Sequence, residues 1–217
     1  MAYRRARRSM VGIDTAIILI AFVLVAAAVA FVVLDMGMTS AQKAKETINS
    51  GLDEASTALQ VDGDVLAYVN GTGNTKGYVQ DIFIPLGVTP GTGYVSFSPS
   101  LLSISLVDNS SSYANIYKGV NESIILQTNL TAIAAYYDHS TSYSDKAVAF
   151  IYFINGNITP FVLGPYGQAL LVIHLPGKGL PAYTSFTVTI SPSIGGAITI
   201  TRIIPPDNAS NTVIDLG

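Results

Sequence analysis

The chain carries one long apolar run close to its beginning. Residues Ala16 to Leu34 contain no charged side chain and no amide, and thirteen of these nineteen residues are Ile, Leu, Val or Phe. As a helix rising about 1.5 Å per residue, the run spans roughly 28 Å, close to the ~30 Å hydrocarbon thickness of a bilayer. Removing these side chains from water gains on the order of 20–40 kcal/mol as an upper bound. We therefore expect the run to lie in lipid or in a core made from many copies of itself.

An amphipathic pattern continues beyond this run. After Asp35 to Met38, small and apolar residues recur at spacings of three and four and define one face of a helix. These residues are Ala41, Ala44, Ile48, Leu52, Ala55 and Leu59. The pattern predicts one helix from about Ile13 to Leu59, on the order of 70 Å long. Gly37 costs roughly 1 kcal/mol in a helix interior, so it is a candidate bend; the alternative is an exposed glycine tolerated without consequence.

From about Val61 the pattern changes to short segments rich in β-branched and aromatic residues, separated by turn residues such as Gly164-Pro165. These segments are residues 64–69, 81–86, 94–98, 101–107, 123–128, 146–154, 168–175, 185–191 and 197–203. Strand-like pieces with turn signals and no helical pattern between them are typical of an antiparallel sandwich, here expected to be immunoglobulin-like. The predicted fold class is α+β, with a long N-terminal hydrophobic helix followed by an antiparallel immunoglobulin-like β-sandwich.

Charge and composition exclude some classes of partner and site. The formal net charge is −3, and it falls to −7 without Arg4, Arg5, Arg7 and Arg8, which precede the apolar run. The rest of the chain has no basic patch for nucleic acid, so we expect no nucleic-acid partner. The chain contains no cysteine, which excludes disulfides and thiolate metal sites.

Catalytic and metal-binding patterns are weak. The two histidines, His139 and His174, occur in unrelated settings: His139 in a polar stretch and His174 inside an apolar strand pattern, where it is expected to be a strand histidine. Asp62-Gly63-Asp64 offers carboxylates but lacks the later ligands of a calcium loop. Tyr136-Tyr137 is expected to serve core and subunit contacts. We therefore expect no enzyme activity, no cofactor and no metal site.

The sequence also contains six Asn-x-Ser/Thr sequons, about twice the number that this composition yields by chance. They begin at Asn70, Asn109, Asn121, Asn129, Asn157 and Asn208. All six lie beyond the apolar helix, where an exported domain would be modified. We expect N-glycosylation at several of them.

Three interpretations of the N-terminal segment compete. A secretory signal peptide has a shorter apolar core that ends at a small-x-small site, and Leu34-Asp35-Met36 does not provide one. An ordinary signal anchor fits the length, with the arginines held on the cytoplasmic side. The third interpretation treats the arginines as a short leader and the apolar helix as part of the mature protein.

The third interpretation rests on a resemblance. The basic leader RRARRS, the stretch GIDTAIILIAFVLVAAAVAFVVLDMGM and the continuation TSAQKAKETINSGLDEASTAL occur in that order, over roughly residues 4–59. This arrangement closely resembles the N-terminus of archaeal flagellins (archaellins), which belong to the type IV pilin-like superfamily. The resemblance implies that this class III signal peptide is cleaved by a prepilin-peptidase-like membrane aspartyl protease between Ser9 and Met10. The family usually has Gly before the cut, where this chain has Ser9.

Cleavage there would make Asp14 the fifth residue of the mature chain, where pilin-like subunits commonly carry an acid. Its carboxylate would pair with the α-ammonium group of a neighbouring subunit in a low-dielectric core, where an unpaired charge is very costly. The alternative is that Asp14 only caps the helix N-terminus.

The expected organisation is a leader at 1–9, a helix at 10–60 that is membrane-resident before assembly and the filament core afterwards, and an outer sandwich at 61–217. The implied function is an archaellin that self-assembles into the rotary swimming filament on the archaeal cell surface, through helix and outer-domain contacts. Its implied partners are further copies of itself, the leader protease, a membrane platform with its motor ATPase, and an oligosaccharyltransferase. An adhesive type IV pilin is the nearest alternative, and a signal-anchored surface binding domain is the next.

Overall fold

A computed structural model of the chain describes residues 3–56, 59–71, 77–89, 93–121, 129–138, 143, 145–193, 195–206 and 209–217, with backbone only at 3–11, 53–56 and 157. The chain divides into two compact units, Met1–Gly51 and Leu52–Gly217. The first unit is entirely helical in the residues described.

One helix, α1 (Tyr3–Ser56), accounts for the N-terminal part of the chain. At about 1.5 Å per residue it is roughly 80 Å long. We predicted that the helix begins at about Ile13, but it begins at Tyr3 and includes the arginine-rich segment. The backbone is helical at Gly37 and on both sides of it. A bend at this residue stays a prediction.

The end of the helix also differs from the prediction. Leu59 was expected to be helical, but it begins a short strand whose residues 59–61 pair with 86–88. Leu59 is buried in the core of the second unit. Ladder hydrogen bonds and burial of this side chain therefore override the helical spacing, which continued through Leu59 in the sequence.

Twelve strands and one helix form the described part of the second unit. They are β1 (Leu59–Val61), β2 (Leu66–Asn70), β3 (Tyr78–Val88), β4 (Val95–Ser96), β5 (Leu102–Asp108), β6 (Ser112–Tyr113), β7 (Tyr117–Val120), α2 (Leu130–Asp138), β8 (Val148–Thr159), β9 (Val162–His174), β10 (Ser185–Pro192), β11 (Ile198–Ile203) and β12 (Thr212–Asp215). Eight of the nine predicted strands correspond to β2–β5 and β8–β11. The ninth, residues 123–128, lies outside the described residues.

The strands form two sheets. The larger has the order β12-β2-β3-β9-β8-β7, with β1 beside β3 and β4 beside β9, and the smaller has the order β11-β10-β5-β6. Every pairing is antiparallel except that of β7 with β8. The predicted α+β class with a largely antiparallel sandwich is thus confirmed.

The main core lies between the two sheets. Ile82 and Ile84 of β3 and Leu171 of β9 belong to the same buried cluster as Ile104 of β5 and Val188 of β10. These residues alternate along their strands, as expected when one face of each sheet is buried. Burial of this apolar surface is the main source of the stability of the sandwich.

A second cluster covers the opposite face of the larger sheet. Phe83, Phe150 and Val172 from the sheet pack with Ile133 and Tyr137 of α2. The central strands are therefore buried on both faces, which explains why their sequences are nearly continuously apolar. The helix itself corrects our prediction that no helix occurs among the strands.

Candidate assembly surface and buried polar cluster

The first candidate functional element is the apolar surface of α1. Every residue from Gly12 to Leu52 is exposed. The same segment is long and apolar enough to cross a membrane. Phe22 is 74% exposed and Leu34 is 73% exposed. Leaving so much apolar surface in water is unfavourable, so this helix needs lipid or other protein around it.

The predicted processing and assembly residues lie on this helix. The backbone at Ser9 and Met10 is helical, and Asp14 is exposed. Because α1 begins at Tyr3, Asp14 lies about three turns inside the helix of the intact chain. A capping residue precedes the first turn of its helix, so Asp14 does not cap α1 as it stands here; both proposed roles of Asp14 concern a helix that begins at Met10 and stay predictions.

Gly37 occupies an open position on the same helix. A Cβ atom placed on this residue would have no neighbour within 4 Å. A larger side chain would therefore fit in the isolated subunit, so packing within one chain does not require glycine here.

The sequons fall in different environments. Asn109 is exposed in the turn between β5 and β6, where the Asp108 carboxylate accepts hydrogen bonds from the backbone N–H groups of Ser110 and Ser111. This arrangement fixes the turn without using the Asn109 side chain. Asn157 has only its backbone described, and Asn208 lies outside the described residues.

Three other sequon asparagines have structural partners. The Asn70 side chain donates to Oε1 of Gln80. Asn129 precedes α2, and its Oδ1 atom accepts from the backbone N–H of Thr131 at 3.1 Å, which is an N-cap. Burial raises the pKa of Tyr137 and of Tyr152, and a hydrogen bond from the Asn121 side chain to each hydroxyl opposes part of that rise.

A buried polar cluster lies beneath α2. His174 Nδ1 and Asp81 Oδ1 are 2.7 Å apart, and each residue is 1% exposed. The Tyr137 hydroxyl is hydrogen-bonded to that of Tyr152. Burial is the main reason that the pKa of Tyr152 rises to about 12, and it also raises the pKa of Tyr137. These hydrogen bonds offset part of the cost of burying the polar groups of the cluster.

Our expectations about these residues were partly correct. His174 lies in a strand, as the sequence predicted, and the structure shows that it is buried; Tyr137 belongs to the core. His139 lies outside the described residues, and Tyr136 is half exposed.

Asp62 accepts a hydrogen bond from Nε2 of Gln168 at 2.8 Å. In the described part of the chain, no group of three His, Asp or Glu residues is arranged to hold a metal ion.

Comparison with known proteins decides the family. The family model for archaeal-type flagellin matches residues 9–202. The chain belongs to the archaeal-type flagellin family. A flagellin of Aeropyrum pernix, named "Probable flagellin 1", is 39% identical over 214 residues, which cover 98% of this chain and 100% of that protein. The chain is thus a structural archaellin subunit, which favours the flagellin interpretation over an adhesive pilin.

Solved structures support the fold of this flagellin. The archaeal flagellum of Methanospirillum hungatei strain JF1 matches with a TM-score of 0.63 and 21% identity, over 94% of this chain and 98% of that chain. Flagellin FlaB1 of Methanocaldococcus jannaschii matches with a TM-score of 0.61 and 17% identity, over 74% of this chain and 96% of that chain. At these identities the likeness concerns the fold.

Proposed function

We propose that this flagellin polymerises through α1 into the archaeal swimming filament. The observation that carries the proposal is the continuous exposure of apolar side chains from Gly12 to Leu52 in a chain of the flagellin family. Parallel helices around a common axis would cover these side chains on all sides. Because the same surface suits lipid, the subunit is stored in the membrane before assembly, and packing between helices stabilises the filament afterwards.

Processing precedes assembly in this proposal. The membrane aspartyl protease cuts between Ser9 and Met10 and leaves Asp14 near the new N-terminus. The carboxylate of Asp14 then pairs with the α-ammonium group of a neighbouring subunit, which fixes the axial register of the helices. A membrane platform and its ATPase insert the subunits and turn the filament, while this chain contributes mechanical continuity.

The β-sandwich forms the outer surface of the filament. An oligosaccharyltransferase modifies it at sequons whose asparagine amide is accessible, and Asn109 in the β5–β6 turn meets this condition best. Asn121 does not, because its amide is hydrogen-bonded to Tyr137 and Tyr152.

Electron microscopy of material sheared from cells that express this chain as their only flagellin tests the proposal. We expect filaments whose subunits begin at Met10 by mass spectrometry. Absence of filaments from cells with an intact leader protease would contradict the assembly function, and filaments with an uncut leader would contradict the processing step alone.

A further inference from the structure

The outward face of the smaller sheet carries a regular array of hydroxyl groups. Along β5, β10 and β11 the inward side chains are more buried than the outward ones, so every second side chain points away from the core. The outward positions include six serines and threonines, which we call the hydroxyl face. They are Ser103, Ser105, Thr187, Thr189, Thr199 and Thr201, each exposed or half-buried.

Strand pairing places these side chains next to one another. Thr187 of β10 is opposite Thr201 of β11, and Thr189 lies between Thr199 on one side and Ser105 of β5 on the other. The hydroxyl groups of Thr187 and Thr201 are hydrogen-bonded at 3.0 Å. Neighbouring strands are about 4.8 Å apart, so the hydroxyl groups form a grid roughly 10 Å wide in which each can donate and accept.

The hydroxyl face is uncharged. In the described strands β5, β10 and β11, the outward positions contain no lysine, arginine, aspartate or glutamate. Asp108 and Arg202 belong to these strands but are in register with the buried Phe186, on the inward side. Such a face does not attract nucleic acid, charged peptides or anionic lipid. It is complementary to a neutral ligand that is itself rich in hydroxyl groups, which is a carbohydrate.

Two apolar side chains adjoin the hydroxyl face at one end. Val107 is opposite Thr187, and Ile203 is two residues beyond Thr201 on the same outward side. These two side chains are 47% and 64% exposed. A sugar ring presents C–H groups on its faces and hydroxyl groups at its rim. It can therefore pack on these apolar side chains while it bonds to the neighbouring threonines.

A sequon lies at the same end of the sheet. Asn109 directly follows β5, two residues after Val107, and it is exposed. The pairing of β5 with β10 reaches Asp108, and the next residue of β10 towards this end, Ser185, pairs with Ile203. A glycan on Asn109 would therefore begin beside the apolar end of the hydroxyl face.

The edge strand β11 provides a second, independent observation. It lies at one end of the described order of the smaller sheet, and five of its six residues are β-branched: Ile-Thr-Ile-Thr-Arg-Ile. Sheet edges pair with other chains unless charge, proline, a bulge or a covering group prevents it. The outward positions of β11 carry no charge, so a covering group is the remaining protection. Attached sugars are bulky and soluble, which suits this purpose.

Area and tethering decide which occupant fits. Three strands and their outward side chains cover on the order of 300 Å², well below the ~800 Å² per partner of a stable protein interface. A free sugar would bind weakly to this flat surface, because each hydrogen bond that it forms replaces one to water. A sugar chain attached at Asn109 is held close to the face, at an effective concentration of about millimolar or higher, so weak contacts suffice.

We propose that the N-linked glycan of Asn109 folds back onto its own domain and binds the hydroxyl face. The inference rests on the glycosylation of Asn109 in the proposed function. The ligand is a neutral oligosaccharide that packs on Val107 and pairs its hydroxyl groups with those of the serines and threonines. The bound glycan extends across β10 to β11 and keeps that edge from pairing with another chain.

The sequon offers a matched pair of variants. Ser111→Ala removes the sequon that begins at Asn109, whereas Ser110→Ala keeps it and makes the same change one residue earlier. The Asp108 carboxylate accepts from the backbone N–H groups of Ser110 and Ser111, and these groups remain in both variants. The turn is therefore retained, and circular dichroism of each variant verifies that the domain is folded.

Cysteine labelling reports whether the face is covered. The chain contains no cysteine, so one introduced thiol gives the accessibility of one position. Thr201→Cys places the thiol on the hydroxyl face, and Lys118→Cys places it at an exposed position of β7 in the larger sheet. Each change is made in the full-length chain, together with Ser111→Ala or Ser110→Ala. Labelling with a neutral maleimide is measured on detergent-solubilised subunits, where neighbouring copies are absent.

We expect the Thr201→Cys thiol to react about tenfold faster with Ser111→Ala than with Ser110→Ala, as it must if the glycan covers the face roughly nine-tenths of the time. The Lys118→Cys thiol should react at the same rate in both backgrounds. Equal rates for Thr201→Cys, with Asn109 glycosylated in the Ser110→Ala background, would overturn the proposal, because the glycan would then extend into solvent.

Two further outcomes are distinguishable. Protection of the Thr201→Cys thiol in filaments that persists without the glycan, and is lost on dissociation, would assign the face to a neighbouring copy and overturn the proposal. An unmodified Asn109 in glycopeptide analysis would contradict this inference together with the proposed glycan at Asn109. Failure of the wild-type chain to form filaments would contradict the proposed assembly function alone.

Discussion

The ring of Tyr137 lies nearly parallel to that of His174, with centroids 5.8 Å apart and planes inclined by 27°. This stacking places α2 directly over the His174–Asp81 pair and excludes water from it. The helix, the pair and the central strands of the larger sheet therefore form one structural unit.

We predict that His174→Ala lowers the free energy of unfolding by roughly 3–5 kcal/mol, because it leaves Asp81 buried without this partner. Urea unfolding of detergent-solubilised subunit, followed by tyrosine circular dichroism, measures the change. Thr199→Ala, at an exposed strand position, is the control and should change stability by less than about 0.5 kcal/mol. If the costs of His174→Ala and Asp81→Ala simply add in the double variant, the two residues are not coupled.

We predict a loss of stability at alkaline pH. Burial raises the pKa of Tyr152 to about 12, whereas an unfolded tyrosine titrates near 10. The unfolded state therefore binds fewer protons above pH ~10, so stability that is present below this pH is lost as the pH rises to about 12. Tyr152→Phe should make unfolding midpoints less dependent on pH in this range, and an unchanged dependence would contradict the assignment.

We predict that the sequons differ in occupancy. Asn109 should be glycosylated, because its side chain is exposed in a turn, and Asn121 should be unmodified, because Tyr137 and Tyr152 hold its amide. Glycopeptide mass spectrometry of sheared filaments measures both sites in one sample. A glycan on Asn121 would show that modification occurs before this part of the domain folds.

We predict that Asp14→Ala reduces assembled filament about tenfold or more, because one buried, unpaired ammonium group remains at each subunit contact. Immunoblots of sheared filament and membrane fractions give the ratio of assembled to stored subunit. Asp35→Ala removes another exposed acid from the same helix and serves as the control. Equal assembly of the two variants would remove the pairing role from Asp14.

The sequence predicted the large elements well because each is long and strongly patterned. The apolar run defined α1, and alternating segments defined β5 and β10, whose burial alternates residue by residue. The sequence missed α2, although Leu130, Ile133, Ala134 and Tyr137 have helical spacing and Asn129 is an N-cap. The helix has only nine residues, and the apolar stretch 123–128 before it suggested a strand.

The polar cluster could not be predicted because its members are distant in the chain. Asp81 and His174 are 93 residues apart and meet only because β3 and β9 pair in a register that places them opposite each other. Sequence patterns specify which face of a strand is buried, but not which strands are neighbours.

The central claim is that α1 forms the axis of a filament. Cryo-electron microscopy with helical reconstruction, on filaments from cells with this chain as the only flagellin, tests it most directly. We predict a central bundle of helices that starts at Met10 and buries the apolar side chains from Ala16 to Leu34, with the β-sandwich outside. A filament whose axis is formed by the β-sandwich, with α1 exposed or removed, would contradict the account.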